Sequence, residues 1–158
     1  MTEKPIQILD ASPHQADSIL ALLPRLASFE LPPRREPEQL WRGDADLVRK
    51  WAQGELPEAI LKVGVQGQDK AVVGVAFAQM RPEAFSQTPS AHLEVLAVAK
   101  SVEGQGLARA LVQEIEATVA DRGAKSITLN VFRNNERARA LYGRLGYDEE
   151  LLRCVKEL

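Results

Sequence analysis

The stretch Glu103-Gly104-Gln105-Gly106-Leu107-Ala108-Arg109 follows an apolar run and opens a segment with helical spacing. Such a place suits an anion. The first turn of a helix has N–H groups without internal partners and a partial positive charge. Glycines at 104 and 106 let a ligand reach the backbone without meeting a Cβ. A phosphate or pyrophosphate is the matching ligand; the alternative is a glycine-rich turn and nothing more. Two nucleotide loops fail on residues. A P-loop needs Gly-Lys-Ser/Thr, but Gly106 is followed by Leu107 and Ala108. A dinucleotide fingerprint needs a third glycine where Arg109 stands. It also needs an acid on the next strand, which reads Ile127-Thr128-Leu129-Asn130.

The elements that must position this loop are legible from periodicity. Ile6 to Leu9 reads as a first strand. Ser12-Pro13 opens a helix carrying Ile19, Leu22, Leu23 and Leu26 on one face. A proline-rich loop, 29–37, leads to a second helix over 38–53. Strands at 59–65 and 71–80 are joined by Gly67-Gln68-Asp69-Lys70 as a hairpin. His92 to Val98 is a strand buried on both faces. A helix with Ala108, Leu111, Val112, Ile115 and Val119 on one side follows and ends at Gly123. Ser126 to Phe132 is a strand, and Asn134 or Asn135 caps a helix ending at Gly146. A final strand is expected over 153–157, with Cys154 in the core. The unit from His92 to Phe132 is parallel by the crossover rule. The hairpin is antiparallel, so the sheet is mixed.

The chain has 158 residues, room for one domain over 1–158 with a real core. Twenty basic against twenty-two acidic residues exclude a generally basic nucleic-acid binder. One cysteine excludes an intrachain disulfide and argues against a cysteine-based metal cluster. No apolar run approaches the ~20 residues that span a bilayer. Met1-Thr2-Glu3-Lys4-Pro5 lacks the apolar stretch of a signal peptide. A cytoplasmic protein acting without nucleic acid, membrane or metal is expected.

Three segments together resemble the GNAT N-acetyltransferase superfamily. Glu103-Gly104-Gln105-Gly106-Leu107-Ala108 is similar to its signature Gln/Arg-x-x-Gly-x-Gly/Ala. Leu93-Glu94-Val95-Leu96-Ala97-Val98 resembles its central strand. The stretch Asn135 to Tyr147, with Ala140-Leu141-Tyr142-Gly143-Arg144-Leu145-Gly146-Tyr147, is similar to its ending. The resemblance implies an α/β (α+β) fold with a mixed, mostly antiparallel central sheet and helices on both faces. It also implies an acyltransferase that moves the acetyl group of acetyl-CoA directly onto a primary amine. A protein that binds acyl-CoA as a sensor, without transfer, is the alternative. One position departs from the signature: Glu103 stands where Gln or Arg is usual. An acid ~6 Å from a pyrophosphate would repel it by roughly 3 kcal/mol at an effective dielectric of ~20. Lys100 and Arg109 are expected to offset this.

The resemblance also assigns residues. Backbone groups of Leu96, Ala97 and Val98 would pair with the pantetheine arm, the Leu96 amide facing the thioester oxygen. Amides of Gly104, Gln105, Gly106, Leu107, Ala108 and Arg109 would hold the pyrophosphate. Asn135 would touch the cofactor, cap the last helix, or do both. Tyr142 would give a proton to the departing sulfur; its plain reading is a core aromatic. Glu94 would be the base, with His92 as the other candidate. Period-two spacing puts His92, Glu94 and Leu96 on one strand face. The plain readings are a buried hydrogen-bonded carboxylate for Glu94 and a solvated strand end for His92. Phe29-Glu30-Leu31-Pro32-Pro33-Arg34-Arg35 is expected to wall the acceptor side. Its mixed charge suits a small acceptor with an amine and a carboxylate, although the resemblance also admits a protein amine. A homodimer is compatible with the sequence.

Overall fold

Alternating side chains divide the core into two layers, one on each side of a single sheet. The computed structural model describes residues 4–158. The strands are β1 (Ile6–Asp10), β2 (Ile60–Gln66), β3 (Ala71–Pro82), β4 (Pro89–Val98) and β5 (Ser126–Leu129), neighbours in that order. β1 to β4 are antiparallel in sequence, and β5 joins β4 in parallel. One face buries Leu61, Val63, Val65, Val75, Phe77, Val95 and Ala97. Against it pack Ile19, Leu22 and Leu23, and Ala45 and Val48 of α2 (Arg42–Ala52). The other face buries Ile60, Ala76, Ala78, Ala91 and Leu93 under Leu107, Leu111, Val112, Ile115 and Val119 of α3 (Leu107–Asp121). The mixed, mostly antiparallel sheet with helices on both faces agrees with the sequence.

Several local expectations need correction. The first helix is short, α1 (Ala16–Leu22), between 3₁₀ segments Pro13–Gln15 and Leu23–Ala27. Pro24 lies in the second of these, where a continued α-helix would lose a backbone donor. The second helix is likewise split into a 3₁₀ turn, Pro37–Leu40, and α2. β5 stops at Leu129 rather than Phe132. Residues 148–158 form no strand, and Cys154 is exposed rather than in the core. Leu151, Leu152 and Val155 are exposed as well. This tail is held by side chains instead: Arg139 pairs with Glu149 at 2.6 Å, and Arg34 Nη1 donates to the Val155 carbonyl at 3.2 Å.

The start of α3 sits low on the sheet because two glycines face it. Gly64 of β2 and Gly74 of β3 are cross-strand partners. A Cβ on Gly74 would lie 2.7 Å from Leu107 Cδ2 and 3.1 Å from Leu111 Cδ1; one on Gly64 would lie 2.8 Å from Leu107 Cδ1. Leu107, the first residue of α3, is buried and cannot swing clear of both. The two missing side chains therefore set the depth of the helix start, and with it the loop that precedes it.

Gly74→Ala should cost about 1–3 kcal/mol by overpacking, and Leu107→Ala about 2–5 kcal/mol by leaving a cavity. In chemical denaturation the double variant should lose clearly less than the sum of the two, because the alanine fills space that Leu107 vacates. Strict additivity would show that Gly74 is not there to admit Leu107.

Candidate active site

The site begins with one extra residue in β4. Phe77 pairs with Val95 and the next residue of β3, Ala78, pairs with Leu93, so Glu94 has no partner and forms a β-bulge. Side-chain alternation shifts there. Ala91 and Leu93 pack toward α3, and so do Leu96 and Val98, while Val95 and Ala97 pack toward α1 and α2. The expected common face for Glu94 and Leu96 is therefore wrong. Glu94 keeps company with His92, whose Nε2 is 4.0 Å from Glu94 Oε2.

The ladder to β5 ends at the same place. β4 and β5 pair from Ser90–Ser126 to Leu93–Leu129 and no further. Beyond it, hydrogen-bond direction follows from register. The Ala99 N–H donates to the Val73 carbonyl at 2.8 Å. In an antiparallel pair, alternate residues exchange bonds and those between turn outward. With Val98 opposite Gly74, Ala97 opposite Val75 and Leu96 opposite Ala76, Ala97 binds β3. Leu96 and Val98 point their N–H and C=O groups into the opening that β5 leaves. Of the three residues expected to pair with a ligand arm, two face the opening and Ala97 turns away. The Val98 carbonyl already accepts a hydrogen bond from Arg25 Nε at 3.1 Å.

The glycine loop completes that side. Gly104 and Gly106 have φ of +77° and +81°, and nothing lies within 4 Å of where either Cβ would be. Left-handed backbone and open space both favour glycine there. Gly106 is the N-cap of α3, so the amides of Leu107, Ala108 and Arg109 open the helix. Gln105 is exposed between the glycines. Glu103 is not offset by Lys100 or Arg109. It pairs with Arg25 Nη2 and, at 3.1 Å, with Arg137 Nη1. The Arg137 hydrogen bond, then the charges of Arg137 and Arg25, hold its carboxyl below the usual glutamate range.

Tyr142 lies on α4 (Glu136–Arg144) and packs in the α3-side layer with Leu96, Val98 and Leu129 at its margin. Burial pushes its hydroxyl up to about 12, so it stays protonated. That hydroxyl makes no hydrogen bond among the described residues, yet no sealed side-chain polar atom lacks a partner, so it reaches solvent-accessible space. Tyr147 stacks edge-on against it at 5.6 Å and donates to Glu116 at 3.0 Å, a structural role. Asn135 caps α4, its Oδ1 accepting from the Ala138 N–H at 3.2 Å.

The other side of β4 is acidic. Glu94 accepts from Gln79 Nε2 and Arg81 Nη1, both at 3.4 Å. Burial raises its carboxyl against those two contacts. His92 is not a solvated strand end: it is 6% exposed, with Nδ1 2.7 Å from Thr128 Oγ1. Burial, then the Arg81 charge, lowers it to about 4, so it is neutral at neutral pH. Asp44 of α2 was not anticipated. Burial, then the Glu94 charge, lifts it to about 7. A signal existed, since Asp44 falls among Trp41, Ala45, Val48 and Trp51 on the apolar stripe of α2. Loop 29–35 is tied to the segment that follows β5. The Asn134 side chain donates to the Glu30 carbonyl, and Phe29 packs on Phe132 with ring centres 5.8 Å apart.

Asp44 gives a test by linkage. Its ordinary value is 3.8 and its folded value about 7. Between these the folded state holds more protons than the unfolded, so this group lowers stability as pH rises from about 4 to 7. Asp44→Asn should have a higher Tm than wild type at pH 8, with the gap closing toward pH 4. A gap that is independent of pH would contradict the buried carboxyl.

The family model described as "Acetyltransferase (GNAT) family" matches residues 23–147. A curated relative, the 5-NmdU N-acetyltransferase of Pseudomonas phage PaMx11, is 41% identical over 61 residues, 39% of this chain and 41% of that protein. The chain thus aligns with under half the length of that relative. Among solved structures, a ribosomal-protein-alanine N-acetyltransferase from Brucella melitensis has a TM-score of 0.69 at 19% identity, covering 98% of this chain and 100% of that one. An aminoglycoside 6'-N-acetyltransferase from Acinetobacter baumannii has 0.67 at 20%, covering 98% and 99%. At such identities the structural likeness speaks for the fold, while the family match spans most of the chain. The chain belongs to the GNAT acetyltransferase family.

Proposed function

We propose that this enzyme transfers the acetyl group of acetyl-CoA directly to a primary amine. The observation that carries this reading is the opening beyond Leu93, where Leu96 and Val98 present backbone groups beside the glycine loop. These groups fit an acyl-CoA. The Leu96 and Val98 N–H groups suit an amide-bearing arm, and the loop amides suit its phosphates. Acetyl-CoA supplies an acyl carbon activated as a thioester. The N-acetyl transfer named for the phage relative supports nitrogen as the acceptor atom.

The chain's own residues then take three tasks. The Leu96 N–H donates to the thioester oxygen as negative charge gathers there. Glu94 takes the proton from the ammonium, which must be neutral to attack. Its raised carboxyl makes it a better base than an ordinary glutamate, and Asp44 nearby favours binding a cation. His92, neutral and bonded to Thr128, orients rather than titrates. Tyr142 Oη, protonated in the resting enzyme across the working range, gives its proton to the departing sulfur, and the proton that the acylated nitrogen sheds as the intermediate collapses restores it. The acceptor approaches from loop 29–35.

An acceptor panel read by thiol release tests the reading. With the best amine, Tyr142→Phe should lower kcat by ~10²-fold with little change in acetyl-CoA affinity. Glu94→Gln should lower kcat/KM and remove the acidic limb of its pH profile. Thiol release with no amine in the panel, despite CoA binding, would favour a sensor. A nearly fully active Tyr142→Phe enzyme would return that tyrosine to the core.

A further inference from the structure

Glu103 and its two arginines join three parts of the fold. Arg25 comes from the 3₁₀ segment after α1, Arg137 from the first turn of α4, and Glu103 begins the glycine loop. Both guanidiniums bind the same oxygen, Glu103 Oε1, and Arg25 also holds the Val98 carbonyl. Arg137 is 69% exposed, so its pair contributes little to stability, whereas Arg25 and Glu103 are partly buried at 26% and 27%. The cluster carries net charge +1 and keeps N–H donors in reserve, since each guanidinium has five. Its position is the informative point. The residue after Glu103 is Gly104, the first of the open, left-handed pair. A carboxylate at the mouth of an anion site repels the anion when alone, but one that orients two guanidiniums there presents a net cation.

We propose that Glu103 is a positioning residue that holds Arg25 and Arg137 as a clamp for a phosphate group of the acyl donor. This rests on the acyl-CoA reading above and adds to it the side chains that grip the phosphate. The cationic function absent from position 103 is supplied by two other segments, and Glu103 fixes their direction. The clamp also competes with the donor arm for the Val98 carbonyl, so loss of Arg25 frees that acceptor.

Acetyl-CoA and acetyl-pantetheine, which has the same thioester but no phosphate, separate the roles. Arg25→Gln/Arg137→Gln should weaken acetyl-CoA binding by calorimetry about tenfold or more. It should also flatten the salt dependence of binding. Turnover of acetyl-pantetheine should be unchanged or improved. Glu103→Gln retains an oxygen for both guanidiniums and should bind acetyl-CoA at least as tightly as wild type. Glu103→Ala leaves the two side chains unheld and should weaken binding about 3–10-fold, the cost of ordering them on binding. Tm values check that each variant is folded. A folded double variant that binds acetyl-CoA normally would overturn the clamp, as would equal losses with both donors. Wild-type protein that binds no CoA would overturn the donor reading itself, and the clamp with it.

Discussion

A single unpaired residue in β4 governs the site. The bulge at Glu94 changes which residues face which layer, and the ladder to β5 stops one residue before it. A bulged strand bends and twists away from its neighbour. Here the parallel partner is lost while the antiparallel one is kept, so β4 beyond the bulge has one satisfied edge and one open edge. An interior strand with open hydrogen-bonding groups is costly unless water or a ligand satisfies them. The same bulge turns Glu94 toward α2, away from the open edge. One inserted residue thus sends the Glu94 side chain and the open backbone edge to different sides of the strand.

The charges follow that division. On the α2 side, burial holds two carboxyls, Asp44 and Glu94, above their usual range, and the neighbouring imidazole of His92 stays neutral. At the loop end, two guanidiniums surround one carboxylate and hold it below its usual range. An elongated ligand lying along β4 would meet a cationic end and an environment that favours a cation at the other. The solved neighbours include proteins named for an alanine of a ribosomal protein and for an aminoglycoside. The fold is therefore shared by proteins named for unlike acceptors, and the fold alone does not select one.

What the sequence disclosed was mostly local. The 67–70 turn, the helix after Gly106 and the Asn135 cap depend on residues a few positions apart, and each stands where it was expected. The bulge was hidden because every residue from Val95 to Val98 is apolar, so a parity change after Glu94 leaves no mark in the pattern. The ion cluster was hidden because Arg25 and Arg137 reach Glu103 only through the fold. The segment 153–157 was expected as a strand but pairs with none; its anchor is a distant arginine, which no periodicity encodes. Asp44 is a different case, since a carboxylate on an apolar stripe is visible in one dimension.

The paired glycines beneath α3 carry a consequence for how this chain can diverge. Positions 64, 74 and 107 share one small volume, although two lie on neighbouring strands and the third begins a helix. A side chain gained at either strand position needs space surrendered at the helix start. Across related chains these three positions should therefore vary as a set, glycines accompanying a large residue at 107 and alanine or serine accompanying a small one. Drift through single changes is obstructed there, and the depth of the helix over the sheet becomes an inherited dimension of the lineage.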